Sequence, residues 1–430
     1  MGGAARVRGK AAAGLEGTLR GGEGDEMAKR KAKAVAIKAR RDLPPFDRAE
    51  FEARTERARA KMTEARLDAM LITTEHNVEY LSGFTTQFAW NTPTRPWYFI
   101  LPRQGRPVGV IPEIGITNWR ATSWVPDILT WPSPRPANEG LDLLQKVISG
   151  VPNQFGRFGV ELGPESRLGM PVADLVRLRD MIKPFEVVDC FHVTRALRLV
   201  KSPAEVERIK RMCQIAGDSF DNMGALVRPG DTERDLVRKF QADMLLRGAD
   251  KTPYTSIGSG PGGYDSIIMG PTNRKFRKGD IFLIDTGARY AGYFCDFDRN
   301  YSLGRKPSDD ARRIHELLYR ATDVGIKAAK PGRTAADVFH AQAKVLTDAG
   351  IVLGNVGRFG HGLGKVLTEP PSNMPGDETK LEVGTVLTIE PSAMYGDGKI
   401  LVHEENIVVT EAGGKLLTRR CPREIPVLDF

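Results

Sequence analysis

The chain has 430 residues, of which 41% are hydrophobic and 27% are charged. This is the composition of a globular protein with room for two domains, and it excludes a chain that is disordered throughout. The formal net charge of +9 would favour a nucleic-acid partner only if it covered a folded surface. Much of it lies in residues 1–42, which hold eleven Lys and Arg against five acids. We therefore expect no nucleic-acid partner.

Residues 1–42 are rich in Gly and Ala and contain no aromatic residue, which predicts a basic, disordered tail. No apolar run there is long enough for a secretion signal or a membrane span. The four cysteines (Cys190, Cys213, Cys295 and Cys421) show no paired spacing, which favours buried free thiols over disulfides or a zinc site. These features predict a cytoplasmic protein with no membrane partner.

Residues 46–195 have the pattern of an α/β domain. A charged helix over 46–66 is followed by apolar runs at 69–72 and 97–101, which alternate with helical stretches such as 140–149. The domain should end near residue 195.

Residues 200–430 contain an internal duplication. Ser202 and Ser308 each precede a helical pattern, and the joints after these helices read P-G-D-T-E-R-D at 229–235 and P-G-R-T-A-A-D at 331–337. Each predicted helix pair is followed by strands, so we expect two α-α-β-β halves related by a pseudo-twofold axis. A site is expected in the cleft between the halves.

Five side chains suited to metal binding occur in these halves. Asp285 closes an apolar strand, and Asp296 returns after a glycine-containing turn, so the two can face each other across a hairpin. His361 lies between glycines, Glu390 closes a second apolar strand, and Glu404 lies near the start of the next. Close carboxylates repel each other unless a cation neutralises them, so a shared metal ion is expected.

The order of these motifs, D-x10-D, G-H-G-x-G, T-I-E-P and E-x-x-I-V-V-T, resembles the pita-bread metallopeptidase family. That family includes methionine aminopeptidase, aminopeptidase P, prolidase and creatinase, and residues 202–410 follow its pattern. Residues 46–195 resemble the N-terminal domain of its creatinase, prolidase and aminopeptidase P branch. The resemblance implies an α+β protein, with a duplicated catalytic domain over 200–430 preceded by an α/β domain.

The resemblance also implies a dinuclear metal centre. Asp285 would bind one ion, His361 and Glu390 the other, and Asp296 and Glu404 would bridge both. Four carboxylates and one imidazole favour Mn²⁺, with Co²⁺, Fe²⁺ or Zn²⁺ as alternatives. In such hydrolases a metal-bridged hydroxide attacks an amide carbonyl, and Glu390 would be the catalytic proton acceptor.

Three positions depart from the family's pattern on the substrate side. Thr368 stands where the peptidases keep a histidine, and the segment at Ile268 and Met269 lacks a second one. Val402 replaces the arginine that Xaa-Pro enzymes place two residues before the last glutamate. We therefore expect the metal chemistry to be kept and recognition of the peptide to differ.

The tryptophan- and proline-rich stretch from Trp90 predicts a homodimer in which Trp90 or Arg95 lines the partner's pocket. The favoured function is a metal-dependent hydrolase of the Xaa-Pro peptidase type. Two alternatives stay open: an enzyme of the same fold that acts on a small metabolite, like creatinase or the dimethylsulfoniopropionate lyases, and a metal-free binding module.

Overall fold

The computed structural model describes residues 42–88, 91–92, 94–354 and 357–430. The predicted basic tail, apart from Asp42, and the predicted substrate residue Trp90 lie outside the described residues. Within these ranges, we find no helix that combines the length and the apolar character needed to cross a membrane.

The N-terminal part of the chain alternates strands and helices. The strands are β1 (Ala69–Ile72), β2 (Tyr98–Pro102), β3 (Val108–Pro112), β4 (Ile128–Trp131), β5 (Arg157–Val160) and β6 (Glu186–Asp189). The helices are α1 (Arg48–Glu64), α2 (Glu75–Ser82), α3 (Ile116–Thr122), α4 (Leu141–Ser149), α5 (Val172–Met181) and α6 (Phe191–Leu199). The strands form one mixed sheet in the order β4-β3-β2-β1-β5-β6. The predicted α/β pattern is therefore confirmed.

The position of strand β1 inside the sheet explains why its sequence is apolar at every position. Successive side chains of a strand point to opposite faces of the sheet. Met70 and Ile72 pack into a cluster on one face, with Phe99 and Trp119 among its members. Leu71 packs into a second cluster on the other face. Both faces of the sheet are covered, so no position along this strand needs a polar residue.

The C-terminal domain begins with three helices and a sheet. The helices are α7 (Pro203–Asp221), the short α8 (Met223–Leu226) and α9 (Glu233–Leu246). The strands that follow are β7 (Lys251–Pro261), β8 (Asp280–Tyr290), β9 (Tyr293–Phe294) and β10 (Phe297–Leu303). Strand β8 lies between β7 and β10, and β9 pairs with its end.

The second half repeats this order with α10 (Asp309–Ala328) and α11 (Ala335–Asp348). Its main sheet has the order β12-β11-β13-β16-β17, built from β11 (His361–Gly362), β12 (Glu369–Ser372), β13 (Val386–Ile389), β16 (Glu405–Thr410) and β17 (Gly413–Leu416). Strands β14 (Ser392–Tyr395) and β15 (Lys399–Val402) form a separate hairpin, and β18 (Val427–Leu428) joins the first half's sheet beside β10.

The duplication is confirmed at the level of single hydrogen bonds. Thr232 and Thr334 each begin a helix with a capping box, in which the threonine side chain and an aspartate three residues later bond each other's backbone. Their backbone angles agree to within a degree. Each threonine also forms an isolated bridge to a lysine that follows in its own half, Lys275 or Lys380.

Buried charges join the two domains. Arg54 of α1 is 1% exposed and lies 3.9 Å from Glu205 of α7, measured between Nη2 and Oε2. The Nζ ammonium of Lys365 forms an ion pair with Oε2 of Glu79 in α2 at 2.7 Å. Breaking such a pair would leave an unpaired charge in the interior, so these contacts fix the N-terminal domain against the C-terminal one.

Candidate metal centre

Strand β8 carries Asp285 in its middle. The sequence suggested that the strand ends there, but the strand continues to Tyr290 because both of its edges are paired. Ser256 of β7 lies across from Asp285 on one side, and Asp298 of β10 lies across on the other. The residue directly opposite Asp285 in the hairpin is therefore Asp298.

Asp296 lies in the break between β9 and β10, where its backbone is held by the second half of the domain. Its N–H donates to Oδ1 of Asn406 at 3.0 Å, and the Asn406 amide donates back to its carbonyl. Since Asn406 belongs to β16, this pair of bonds ties the first half's hairpin to the second half's sheet.

His361 is placed by the two glycines around it. A side chain at Gly360 would collide with the carbonyl of Thr388, and one at Gly362 would collide with that of Pro370, so only glycine fits this close packing of strands. The ring nitrogen Nδ1 lies 2.9 Å from the carbonyl of Gly362. A carbonyl only accepts, so Nδ1 carries the proton and the Nε2 lone pair is free.

That free nitrogen points at the carboxylates. Nε2 of His361 lies 3.5 Å from Oδ2 of Asp296. Potential ligand atoms of Asp296, His361 and Glu404 all lie within 4.8 Å of one another, and all three residues are buried. Burial raises the pKa values of Asp296, Glu390 and Glu404, and the charge of Asp285 raises them further, so the four predicted carboxylate ligands belong to one electrostatic cluster.

The cluster fits a cation. Burial, followed by the charge of Asp285, raises the pKa of Glu390 to about 8, and burial raises the pKa of Asp285 to about 6. Oδ1 of Asp285, Oδ2 of Asp298 and Oε1 of Glu404 are buried with no hydrogen-bond partner. Buried oxygens without donors and carboxylates that resist ionisation both indicate that a positive charge completes this site. Oxygen donors with one imidazole suit a divalent ion.

Two family models match the chain. Residues 54–200 match the creatinase/prolidase N-terminal domain, and residues 207–411 match metallopeptidase family M24. The Xaa-Pro dipeptidase of Pyrococcus furiosus is 30% identical over 259 residues, which cover 60% of this chain and 73% of that protein. The chain belongs to metallopeptidase family M24.

Other members of this metallopeptidase family match nearly the whole length of the chain. The probable dipeptidase PepE of Mycobacterium tuberculosis is 28% identical over 398 residues, covering 89% of this chain and 98% of that protein. The crystal structure of dipeptidase PepE from Mycobacterium ulcerans has a TM-score of 0.76 at 29% identity and covers 90% of this chain and 100% of that one. The predicted pita-bread fold and hydrolytic metal chemistry are thus confirmed at the level of the family, which also implies divalent metal ions and a peptide substrate.

The predicted substrate residues of this peptidase lie in different places. Thr368 is partly buried in the loop just before β12, and the side chain of its neighbour Leu367 packs onto Gly287 of β8. Arg95 adopts a positive φ of 58° and lines a cavity of the N-terminal domain with Trp97 and Arg167. No metal ligand lines that cavity, so the structure does not bring Arg95 to the centre within the chain.

Sequence reasoning missed three residues around the metal centre of this M24 member. The Tyr254 hydroxyl donates to Oδ2 of Asp285 at 2.9 Å, and Asn406 holds Asp296 as described. The charge of Arg358 opposes the rise that burial causes in the pKa values of Asp296 and Glu390, and it adds to the effect of burial in lowering the pKa of His361, so Arg358 lies near all three. No motif marks these residues, because each reaches the site from a neighbouring strand or loop.

Proposed function

We propose that this peptidase is a dipeptidase of the Xaa-Pro type that works with two Mn²⁺ ions. The observation that carries the proposal is the buried cluster of Asp296, His361 and Glu404, with their ligand atoms within 4.8 Å of one another. The substrate class rests on relatives named Xaa-Pro dipeptidase and dipeptidase PepE.

We further propose a basic tail over 1–42, domains over 46–195 and 200–430, and the cytoplasm as the place of action. All four cysteines are free, which suits a reducing compartment.

In the proposed site, Asp285 would hold one ion, His361 and Glu390 would hold the other, and Asp296 and Glu404 would contribute to both. Ions bound there would polarise the scissile carbonyl and lower the pKa of a water molecule. A carboxylate oxygen of Glu390 accepts the proton of the attacking water. The proton of His361 stays on Nδ1, which donates a hydrogen bond to the Gly362 carbonyl, so the neutral imidazole would present the lone pair of Nε2 to the ion.

A panel of substrates tests the proposed class. The Mn²⁺-loaded protein is given Xaa-Pro dipeptides, dipeptides without proline, longer Xaa-Pro peptides, creatine and dimethylsulfoniopropionate. We expect turnover of dipeptides, with proline in the second position preferred. Turnover confined to creatine or dimethylsulfoniopropionate would replace the peptide with a small metabolite as the substrate.

Glu390→Gln tests the proposed proton acceptor. An amide cannot accept the proton, so turnover should fall by about 10² or more. Glu411→Gln is the control, because Glu411 is exposed in a turn after β16. Metal content measured on both variants separates loss of the base from loss of a ligand. Normal turnover by a fully metallated Glu390→Gln protein would remove this role.

We also propose a homodimer in which Arg95, together with Trp90, reaches the partner's site. Arg95 lines its cavity from the edge of the N-terminal domain, and neighbouring Phe88 is 45% exposed. Trp97, by contrast, is buried within its own domain. Light scattering at micromolar concentration should give twice the mass of the chain, and a monomer would contradict the proposal.

A further inference from the structure

A second cluster of possible metal ligands lies apart from the acidic centre. It consists of His315 on α10, His403 between β15 and β16, and Cys421 in the segment before β18. All three are buried, and one ligand atom from each lies within 4.8 Å of the other two. His403 is next to Glu404 in the chain, but adjacent residues of an extended segment point to opposite sides, so the two belong to separate clusters.

Hydrogen bonds fix the tautomer of His403. The hydroxyl of Thr322 lies 2.9 Å from the carbonyl of Leu318 and donates its proton to it. The same hydroxyl oxygen lies 3.0 Å from Nδ1 of His403 and therefore accepts the Nδ1 proton. The lone pair of His403 is consequently on Nε2, and Nε2 contacts the sulfur of Cys421. A ring nitrogen fixed in this way by an outer partner is typical of metal-binding histidines.

The same reasoning applies to His315. Its Nε2 lies 3.2 Å from the carbonyl of Pro422, which can only accept, so Nε2 carries the proton. Nδ1 therefore holds the lone pair, and this atom is buried with no hydrogen-bond partner. Burial of an unpartnered acceptor is unfavourable, and a bound cation would remove that cost.

The surroundings provide space and balanced charge. A cavity of about 10 Å³ borders His315, His403 and Cys421, which is about the room of one water molecule. Arg420 lies 3.4 Å from both ring nitrogens of His403, but its charge is paired with Glu405 at 3.1 Å and Asp323 at 3.0 Å. Since Arg420 is neutralised by these acids, it does not oppose a cation whose charge is already reduced by a thiolate.

We propose that His315, His403 and Cys421 form a separate site for a thiolate-preferring divalent cation, with Zn²⁺ as the ion. Nδ1 of His315, Nε2 of His403 and the Cys421 sulfur supply three ligands, and a water molecule completes the tetrahedron. Binding releases the thiol proton of Cys421 to solvent and involves no redox change. The ion would join α10, the approach to β16 and the C-terminal segment, which are far apart in the chain.

Cobalt tests the site because it reports sulfur ligands. A Co²⁺–thiolate bond gives a charge-transfer band in the near ultraviolet, whereas the acidic centre contains no sulfur and gives none. Titration of the metal-free protein with Co²⁺ should produce this band at about one equivalent per chain, in addition to about two equivalents bound without it. A titration that never develops the band would overturn the proposal.

Matched variants assign the band. Cys421→Ser and His315→Gln should lose it, while Cys190→Ser, which changes a buried cysteine of the N-terminal domain, should keep it. Glu404→Gln should keep the band and lose ions from the acidic centre, so failure of this proposal and of the proposed peptidase site are distinguishable. A band that survives in Cys421→Ser would overturn the assignment.

X-ray absorption on the unaltered, zinc-loaded protein gives a test that does not depend on whether the variants fold. The zinc ions bound at this site, which are a fraction of all the bound zinc, are expected to have one sulfur neighbour at about 2.3 Å. A zinc shell made of nitrogen and oxygen alone would contradict the site.

Discussion

At position 368 this chain has a threonine where the peptidases of its family have a histidine. Thr368 precedes β12, and its neighbour Leu367 packs against β8, two residues from Asp285. Threonine has no group that titrates near neutral pH, whereas histidine does. In the proposed peptidase reaction, the side chain at position 368 therefore supplies no proton to the departing amine.

We predict that Thr368→His raises kcat for Xaa-Pro dipeptides, by up to about 10² if the imidazole is well positioned. Steady-state kinetics on both proteins measure the change, with Thr368→Asn as a polar, non-titrating control. Efficient cleavage by the unaltered protein, with no gain in the histidine variant, would mean that another residue already does this work.

Asp298 is a second residue whose substitution should change the free energy of unfolding measurably. It lies opposite Asp285, is 2% exposed, and has a buried oxygen without a partner. In protein stripped of metal, Asp298→Thr should raise the free energy of unfolding by about 1–3 kcal/mol, because an unpaired buried acceptor is removed. Urea denaturation in EDTA measures this. Asp429→Thr, an exposed change near the C-terminus, should stay within about 0.5 kcal/mol, and a less stable Asp298→Thr protein would contradict the prediction.

At the scale of elements, two buried ion pairs link α6 and the segment just after it to β12. Lys201 and Arg198 lie 3.3 Å and 3.9 Å from the carboxylate of Glu369, which begins β12. Burial acts to raise the pKa of Glu369, but the charges of Arg198 and Lys201 and a bond from Val366 N–H lower it overall. A lowered folded-state pKa stabilises the protein above the unfolded value of about 4.3, and this stability is lost as the pH falls below it.

Glu369→Gln should therefore lower the free energy of unfolding by about 3–5 kcal/mol at pH 7, since Lys201 is left buried without its partner. The difference between variant and unaltered protein should shrink as the pH falls through the lowered folded-state pKa of Glu369, because the carboxyl is then protonated in both states of the unaltered protein. Urea titrations at several pH values measure it, with exposed Glu378→Gln as the control. A difference independent of pH would rule out the ion pair as its cause.

At the scale of the whole molecule, the acidic centre couples metal binding to stability. Its carboxylates converge from both halves of the C-terminal domain, so they repel each other only when the domain is folded. We expect about two Mn²⁺ per chain by elemental analysis. At a hundredfold excess over Kd, one ion should add about 2.7 kcal/mol of stability, or about 5–10 °C in Tm for a domain of this size.

Differential scanning calorimetry with Mn²⁺ and with EDTA checks the stabilisation. Glu404→Gln, which removes a proposed shared ligand, should lose most of the shift. Equal Tm values with and without metal in the unaltered protein would argue against a metal centre.

The sequence by itself determined the duplicated fold and the order of the acidic residues. The capping boxes at Thr232 and Thr334 are local, because each needs only a threonine and an aspartate three residues apart. The apolar run of β1 likewise follows from burial on both faces. Such features depend on neighbours in the chain, so they can be recognised without the fold.

The tertiary structure decided what depends on packing between distant segments. Pairing on both edges of β8 put Asp298, rather than Asp296, directly across from Asp285. Arg358 and Tyr254 reach the centre from separate elements, and Cys421 meets two histidines rather than another cysteine. Spacing along the sequence carries no record of these contacts, since they arise only when the two halves and the C-terminal segment pack together.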